Sequence, residues 1–585
     1  MAQATEETPL KCSVDMHPGD DGATTSTTTR DSVTTRADSF FINTSSFSRN
    51  AKLATFFMFF TVFLERLGYY NVGNNLTVFA KFGLNFSTNE AVTTSSVFRG
   101  TSYFLPLFGG ILADSVLGTY PTIYGGLFLE LIGMLFFLVL TSISNSITKS
   151  TKLGLVFPGL VFISLGQGFI RANIPIFGAE QHGSRGEEKV DTFFRWYYWV
   201  IKLSAFFAIL PFSLILSGPE GNLKDAIVQL VTIGLALTIY IFGKKTYNIV
   251  ASEGSTLFQL FRTLCLKRSY REDDELTIES TLPQHGVGIQ ERQLIRHLVE
   301  LVKIFGSLML FITVYTQTES TYIIQASHMN TTMGTVHIAR SIMPIFDSII
   351  VLTIVPVVHF FIIPTLKKYD KKPGLLNSIA IGLVFSTASA LAAAILEVVR
   401  HFYHDRGVIL SVFWQIPQFA LMGIGEIFTM ISGLQFAYLE SPKGMKGFVM
   451  GLFICSWGLG SYLGILLTWI VNWASGDIWY PDDFNNGHTE YFLFLLSGLS
   501  FITFFLVKVF AHGYISINDR VRLINTGQAT QHEHLRTTSS TPRHSTYDSS
   551  SLSKSSSEDE DPELNEQFNQ FLERGRVGGS PPPCP

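Results

Sequence analysis

The sequence predicts an all-α integral membrane protein with twelve transmembrane helices. Apolar residues make up 47% of the 585 residues, and charged residues make up only 15%. Of the 88 charged residues, 46 lie in three segments, 1–52, 244–303 and 516–585, which leaves 42 for the rest of the chain. The remaining sequence divides into apolar blocks of about 20 residues, the length that a helix needs to cross the hydrocarbon core of a bilayer.

The chain begins with a segment that we predict to be a disordered tail, residues 1–50. This segment is rich in Thr, Ser and Asp and contains no apolar block. A cleaved secretory signal needs a basic start and an apolar core, so the composition excludes one here. The other end, residues 513–585, is a second predicted tail, because serine runs and an acidic stretch at 558–561 cannot bury a core.

Twelve apolar spans lie between the two tails. We expect them at 53–80, 92–116, 121–143, 153–177, 193–216, 225–243, 301–325, 341–363, 375–399, 408–438, 447–472 and 491–512. The charged segment 244–300 separates an N-terminal bundle, 51–243, from a C-terminal bundle, 301–512, and is a predicted cytoplasmic linker. Two groups of six helices around a site at the membrane midplane are typical of the major facilitator class of transporters, which work by alternating access.

Basic residues in the short loops predict the orientation, because Lys and Arg are enriched on the cytoplasmic side. With both termini in the cytoplasm, the inner loops contain eight basic residues: Arg185, Lys189, Lys367, Lys368, Lys371, Lys372, Lys443 and Lys446. Two glycosylation sequons, at Asn85 and Asn330, then fall in outer loops, as the modification requires.

Several predicted spans contain charged side chains, each of which costs at least about 2.5–3.5 kcal/mol at the centre of a bilayer and is therefore a candidate site residue. Two amides in the same spans are further candidates. The candidates are Glu65, Arg66, Arg171, Asn173, Lys202, Gln317, Glu319 and Glu426, with Tyr69 and Tyr70 following the first pair. A buried carboxylate paired with a buried guanidinium can close a gate. Protonation of the acid, or a substrate carboxylate, would release that pair.

Other chemistry has little support in the sequence. The four cysteines show no pairing or metal spacing, and no phosphate-binding lysine motif or nucleophile elbow occurs, so neither an enzyme activity nor a cofactor or metal is expected. Gly458, Gly460 and Gly464 lie in an apolar span, where closely spaced small residues indicate helix packing and not a phosphate loop. The expected partners are the lipid membrane, a small solute and protons, with cytosolic proteins at the tails and no nucleic acid.

Four motifs carry a resemblance to a known family. They are Gly109-Gly-Ile-Leu-Ala-Asp114, Gly178-Ala-Glu-Gln181, Phe193-Phe-Arg-Trp-Tyr-Tyr-Trp199 and Gln418-Phe-Ala-Leu-Met-Gly-Ile-Gly-Glu426. With these motifs the chain resembles the proton-coupled oligopeptide transporters over residues 50–512. The stretches that begin at Arg171 and Tyr322 make it most similar to the peptide/histidine branch. The resemblance implies import of di- and tripeptides, with free histidine as a further substrate, in an endosomal, lysosomal or plasma membrane.

The resemblance also implies roles for individual residues. Glu65 and Arg66 match the end of a Glu-x-x-Glu-Arg motif that serves proton coupling and substrate binding, and Tyr69 and Tyr70 match an aromatic pair beside the peptide. Arg171 matches a cation that binds the substrate carboxylate and pairs with Glu426 as an inner gate. Glu426 would hold the peptide amino group, with Asn173, Lys202 and Gln317 also facing the substrate.

Three residues depart from the family pattern. Val62 stands where the first Glu of the motif is expected, Lys202 replaces an Asn, and Glu319 replaces an amide. We therefore hypothesise that Glu319 takes over part of the missing acid's role, by pairing with Lys202 or by carrying the proton. Two alternatives stay open: a carrier of nitrate or another organic anion, and a membrane receptor or scaffold with impaired transport.

Overall fold

The protein is almost entirely helical in a computed structural model. The structure describes residues 51–525, apart from a long gap at 253–284 and short gaps at 85, 87, 144–147, 183–185, 216–220, 334–335, 338–341, 370–373, 477 and 482–483. The predicted tail 1–50, most of the predicted linker and residues 526–585 therefore lie outside the described residues.

The helices of the N-terminal half, residues 51–252, coincide with the first six predicted spans. They are α1 (Ala51–Val78), α2 (Thr88–Phe104), α3 (Pro106–Leu112), α4 (Thr119–Ile143), α5 (Lys149–Glu180), α6 (Glu187–Ile215) and α7 (Gly221–Phe242). The π-helical segment Ala113–Leu117 continues α3, so that α2 and α3 together form the second predicted span.

The helices of the C-terminal half, residues 285–525, coincide with the last six predicted spans. They are α8 (His285–Thr316), α9 (Thr321–Ser327), α10 (Ile345–Val357), α11 (Ile363–Lys368), α12 (Leu375–His404), α13 (Ile416–Glu426), α14 (Ser432–Leu439), α15 (Lys446–Ser475), α16 (Thr489–His512) and α17 (Ile517–Asn525). Two short strands, β1 (Thr332–Met333) and β2 (Val336–His337), pair antiparallel between α9 and α10.

Nine helical segments of the described residues are long and apolar enough to cross a membrane. They begin at Thr119, Ser150, Leu223, Gln293, Ile345, Leu375, Val412, Lys446 and Thr489. The segments at the first, second and fifth predicted spans are not among them, and these contain charged residues such as Arg66 and Lys202, which lower mean hydropathy. The predicted class, an all-α multi-pass membrane protein, is confirmed.

Glycines set the close packing of α4 against α5. A Cβ atom at Gly166 would lie 2.5 Å from Cγ of Glu130, and one at Gly133 would lie 2.8 Å from the carbonyl oxygen of Gly159. In membrane helices, small residues at a contact let two backbones approach closely. This approach brings the middle of α4, and with it Glu130, to the polar face of α5.

Glycines also join the two halves where α3 crosses α15. A Cβ atom at Gly110 would lie 1.9 Å from the carbonyl oxygen of Gly447, and one at Gly451 would lie 2.6 Å from that of Pro106. The Gly458–Gly464 stretch packs in the same way, because a Cβ at Gly458 would meet the Gly100 carbonyl at 2.9 Å. The predicted packing role of this glycine-rich stretch is confirmed.

The structure corrects two predicted boundaries. Helix α8 begins at His285, inside the predicted linker 244–300, and α17 lies inside the predicted disordered tail 513–585. Tertiary contacts explain the second difference: Arg520 of α17 is buried and forms an ion pair with Glu300, and the backbone N–H of Ile517 donates to Oε2 of Glu440 at 2.8 Å. Charge and composition alone do not reveal such docking.

Candidate functional site

A cavity of about 160 Å³ lies between the two halves. Its charged and aromatic lining residues come from both halves: Arg66, Tyr70, Tyr103, Arg171, Tyr197, Tyr198, Lys202, Tyr315, Asp347, Glu426, Phe453 and Trp457. Apolar walls with a few convergent polar groups are typical of small-molecule sites.

One side of the cavity holds a lysine between two carboxylates. The Nζ atom of Lys202, on α6, lies 2.7 Å from Oδ2 of Asp347 on α10 and 2.6 Å from Oε2 of Glu426 on α13. The hydroxyl of Tyr198 donates to the other oxygen of Glu426. We call these four residues the lysine cluster. Because two acids share one cation, the cluster has one negative charge when Lys202 and both acids are ionised.

The chain breaks its regular helix directly beside this cluster. Glu426 is the last residue of α13, and the π-helical segment Ile427–Ile431 follows it before α14 begins. Single π-helical turns are frequent at functional sites. Here the wider turn separates α13 from α14 at the level of the cavity.

The other side of the cavity holds two arginines joined by an amide. Nη1 of Arg66 and Nε of Arg171 both donate to Oε1 of Gln167, at 2.9 Å and 2.5 Å. The guanidinium of Arg171 also stacks between two rings, 4.3 Å from the centroid of Tyr69 and 4.0 Å from that of Tyr103. Such cation–π contacts fix a planar cation in place when it is desolvated.

Two carboxylates lie behind the arginines. The Nε2 atom of Gln167 donates to Oε1 of Glu65 at 2.6 Å and also to Oε1 of Glu130. Glu65 further contacts Nε of Arg66 at 3.3 Å, and the side chains of Glu65, Arg66, Glu130 and Gln167 are all buried. We call Glu65, Arg66, Glu130, Gln167 and Arg171 the arginine cluster. With every group ionised, its charges sum to zero.

The structure brings five of the predicted site residues into the cavity lining: Arg66, Tyr70, Arg171, Lys202 and Glu426. Glu65 and Tyr69 are buried behind them, where Glu65 binds Gln167 and the Tyr69 ring supports Arg171. These two residues support the cavity-lining groups from behind.

Two predicted site residues do not face the cavity. The amide nitrogen of Asn173 donates to the carbonyl oxygens of Gly109 and Phe169 at 3.1 Å and 2.8 Å, which fastens α5 to α3. Gln317 accepts hydrogen bonds from Thr321 and Ser320 at the break between α8 and α9. Neither side chain lines the cavity, so their substrate contacts stay predictions. The amide nitrogen of Asn173 has two backbone acceptors, whereas its Oδ1 is buried without a hydrogen bond among the described residues.

Three further predictions have other outcomes. The predicted partner of Glu426 was Arg171, but its cation partner in the structure is Lys202. The side chain of Glu319 and the whole of Asn85 lie outside the described residues. Asn330 is exposed beside Ser411, and its Oδ1 accepts from the backbone N–H of Thr332 at 2.9 Å, so its glycosylation stays a prediction.

Sequence reasoning missed four members of the two clusters: Glu130, Gln167, Tyr198 and Asp347. Each lies in or at the start of a predicted span. The rule that singled out Glu65 and Glu426, an ionisable residue within an apolar block, applies equally to Glu130. Asp347 lies close to the start of its predicted span, where a charge is unremarkable.

The two halves also contact each other at the end of the molecule where α1 begins. Both carboxylate oxygens of Asp114 accept backbone hydrogen bonds from the start of α15, from Gly447 at 3.0 Å and Phe448 at 2.8 Å. Nearby, Nζ of Lys446 lies 3.2 Å from Oε1 of Glu180. These contacts close the molecule at this end.

A family model and several known proteins are similar in sequence to this chain. A family model described as the POT family matches residues 120–480. Protein NRT1/PTR FAMILY 8.1 of Arabidopsis thaliana is 28% identical, over 75% of this chain and 90% of that protein. Solute carrier family 15 member 3 of Mus musculus is 29% identical, over 75% of this chain and 88% of that protein.

Solved structures show the same fold. The POT family transporter PepTSo has a TM-score of 0.60 and 20% sequence identity, covering 79% of this chain and 98% of that structure. A POT family transporter in complex with 5-aminolevulinic acid has a TM-score of 0.57 and 16% identity, covering 78% of this chain and 95% of that structure.

Proposed function

This chain belongs to the POT family, and we propose that it is a secondary transporter that moves di- and tripeptides by alternating access, coupled to protons. The observation that carries this proposal is that two arginines line one side of the cavity and two carboxylates line the other. The arginine cluster contributes Arg66 and Arg171, while the lysine cluster contributes Asp347 and Glu426.

A short peptide has a carboxylate at one end and an ammonium group at the other. The guanidinium groups of Arg66 and Arg171 suit a carboxylate, because Arg presents planar donors that can form two parallel hydrogen bonds. The ammonium group would bind Glu426 and Asp347, which lack full charge compensation from the single cation Lys202. Fixing only the two ends leaves the side chains to the aromatic walls, which predicts broad specificity.

The lysine cluster argues against a carrier of nitrate or another simple anion. A small anion needs only cations, yet Lys202 is already held by two carboxylates at 2.7 Å and 2.6 Å. An anion at Lys202 would have to displace an acid and leave it buried without a partner, which costs several kcal/mol. The same acids are the partners that a peptide ammonium requires.

The contacts between the halves support alternating access. The bonds from Asp114 to the start of α15 and from Glu180 to Lys446 join the two halves at the end where α1 begins, so they can act as a closed gate. We propose that this end faces the cytoplasm, as the basic loops predict, and that the gate opens when the halves rock.

Uptake into liposomes tests this function. The purified protein is reconstituted, and entry of a labelled dipeptide is followed with and without an inward proton gradient. Competitors are the unlabelled dipeptide, its N-acetylated form, its C-amidated form, free histidine and nitrate. We expect the gradient to stimulate uptake, and we expect the free dipeptide to compete much better than either blocked form.

The other outcomes point to the alternatives. Competition by nitrate, with equal competition by the free and N-acetylated dipeptide, would favour the anion carrier. Saturable dipeptide uptake that is equal with and without the proton gradient would contradict proton coupling but not peptide transport. No uptake of any of these solutes would favour the receptor or scaffold hypothesis.

A further inference from the structure

Glu130 lies in the middle of an apolar helix. Its carboxyl group has no direct ion pair with a cation in the described part of the chain. It lies within α4, its side chain is 0% exposed, and its Oε1 accepts a hydrogen bond from Nε2 of Gln167. Its Oε2 has no hydrogen-bond partner among the described residues. Glu130 does not line the cavity described above, because Gln167 and the arginines lie between.

Burial favours the neutral form of this carboxyl group. An ionised carboxylate away from water is costly unless a cation or several donors surround it, and Glu130 has one donor. The same amide nitrogen of Gln167 also serves Glu65, so two carboxylates converge on one neutral group. Two carboxylates that share one site disfavour ionisation of both.

The groups that face Glu130 are few. Helix α1 contributes Glu65 and Arg66, and α5 contributes Gln167 and Arg171. Helix α7, which also packs on α4, has no Asp, Glu, Lys, Arg, His or Tyr between Ala226 and Ile239. Glu65 already contacts Arg66 directly at 3.3 Å, which leaves Glu130 as the acid without a direct ion pair.

We propose that Glu130 is the residue whose protonation couples the proton to the substrate in this transporter, an inference that rests on the proposed function. Val62, one turn before Glu65, is buried and apolar and supplies no acid there. Glu130 supplies one from the neighbouring helix α4, linked through Gln167 to both arginines that line the cavity.

Charge balance gives the coupling its direction. When Glu130 is protonated, Arg66 and Arg171 face only one carboxylate, Glu65, and the arginine cluster has one positive charge left for a substrate carboxylate. When Glu130 loses its proton, two carboxylates balance two arginines and the substrate carboxylate is held less tightly. Proton and substrate therefore favour each other's binding, and this reciprocity is what symport requires.

The first test replaces the acid with its uncharged analogue, Glu130→Gln. This variant keeps the protonated state's charge and size permanently, so we expect exchange of labelled for unlabelled dipeptide across the liposome membrane to continue. Accumulation driven by the proton gradient should be lost, falling to the level seen without a gradient. Gradient-driven accumulation at the wild-type level in Glu130→Gln would overturn the proposal.

Two further variants act as controls in the same assay. Glu130→Asp keeps a titratable group and should keep gradient-driven accumulation, although less than wild type because the shorter side chain reaches Gln167 poorly. Glu440→Gln alters another largely buried carboxyl group, far along the chain in the loop before α15, which accepts hydrogen bonds from the backbone N–H of Ile517 and the side chain of Tyr514. In Glu440→Gln, the ratio of dipeptide uptake with the proton gradient to uptake without the gradient should equal the wild-type ratio.

Infrared spectroscopy of the purified protein tests the proton itself without any substrate. A protonated carboxyl group gives a C=O stretching band distinct from that of a carboxylate. We expect part of this band at neutral pH to disappear in Glu130→Gln, and an unchanged band would overturn the assignment. If wild type moves no peptide, the proposed function fails and the coupling role fails with it, while the band still decides whether Glu130 holds a proton. If Glu130→Gln loses exchange as well as accumulation, the same C=O band decides whether Glu130 is the protonated group.

Discussion

Two regions of this protein bury the same kinds of charge in different ways. In the C-terminal half, away from the cavity, Arg400 binds Glu397 with both Nη2 and Nε, at 2.7 Å and 3.0 Å. Arg400 also donates to Asn485 at 2.6 Å and to the carbonyl of Phe484 at 3.2 Å, and Gln325 donates to Glu397 at 2.9 Å. We call Gln325, Glu397 and Arg400 the Glu397 cluster.

The cavity clusters leave polar atoms without partners. Among the described residues, Oε2 of Glu130, Nη2 of Arg171 and Oδ1 of Asp347 are buried and have no hydrogen bond, whereas no atom of Glu397 or Arg400 is in that state. A buried network with every member satisfied is rigid, and each unsatisfied atom calls for an explanation such as a missing ligand. Glu397 and Arg400 therefore form a structural ion pair, whereas the cavity clusters contain the groups that we propose bind substrate and protons.

The largest effect is expected at the centre of the lysine cluster. Lys202→Met leaves Asp347 and Glu426 buried without their cation, and loss of one partner of a buried pair costs about 3–5 kcal/mol. We expect the ratio of folded to unfolded protein to fall at least about 100-fold, since about 1.4 kcal/mol corresponds to a factor of ten, and dipeptide uptake to fall with it. Thermal unfolding in detergent and initial uptake rates per total reconstituted protein measure the two losses.

A double variant sharpens this prediction. Lys202→Asn combined with Asp347→Asn removes one cation and one acid together, and it leaves Glu426 for the peptide ammonium. If Lys202 mainly neutralises Asp347, the double variant should transport better than Lys202→Asn alone. Additive losses in this double-mutant cycle would show that the two residues act independently.

A smaller effect is expected at the arginine cluster. Arg171→Lys keeps the charge but loses the planar donors and the stacking between Tyr69 and Tyr103. Hydrogen bonds to charged groups contribute about 1.5–3 kcal/mol, so the KM for a dipeptide should rise roughly tenfold or more. Competition by a C-amidated dipeptide, which has no carboxylate, should change little, and an equal change for both would contradict the assigned role.

The Glu397 cluster should respond in stability and not in transport. Glu397→Gln leaves Arg400 buried without its anion and should lower the free energy of unfolding by about 3 kcal/mol. Thermal unfolding followed in detergent measures that loss. The KM for the dipeptide, determined on the folded fraction, should equal that of wild type, and a raised KM would remove the distinction between the two regions.

The smallest effect is expected at Asn173. Its amide donates two hydrogen bonds to backbone carbonyls, each contributing about 1 kcal/mol, so Asn173→Ala should lower stability by about 1–2 kcal/mol. Because the side chain faces α3 and not the cavity, the KM should not change. A raised KM without loss of stability would restore the substrate role that the sequence suggested.

The sequence predicts the members of the site better than their partners. Arg66, Arg171, Lys202 and Glu426 are found because the cost of a charge in an apolar span applies to each residue alone. The pairing of Lys202 with Asp347 and Glu426 depends on how α6, α10 and α13 pack, and no periodicity within one helix encodes that. For the same reason Arg171 was expected to pair with Glu426, whose cation partner is Lys202.

The missed residues have physical explanations as well. Glu130 is a single acid in α4 and barely lowers the mean hydropathy of that helix, so the corresponding sequence segment is predicted to be uniformly apolar. Gln167 is uncharged, and only its position between Glu65, Glu130, Arg66 and Arg171 gives it significance. The helices α8 and α17 extend into charged segments because buried ion pairs such as Arg520–Glu300 stabilise them, which composition does not reveal.

The most direct test of the two-sided site is an experimental structure of the protein with a dipeptide bound. The peptide carboxylate should lie within hydrogen-bond distance of Arg66 and Arg171, and the ammonium group within the same distance of Glu426 or Asp347. We expect the same orientation for dipeptides with different side chains. A peptide bound in the reverse orientation, or an anion held by Lys202 with both acids displaced, would contradict it.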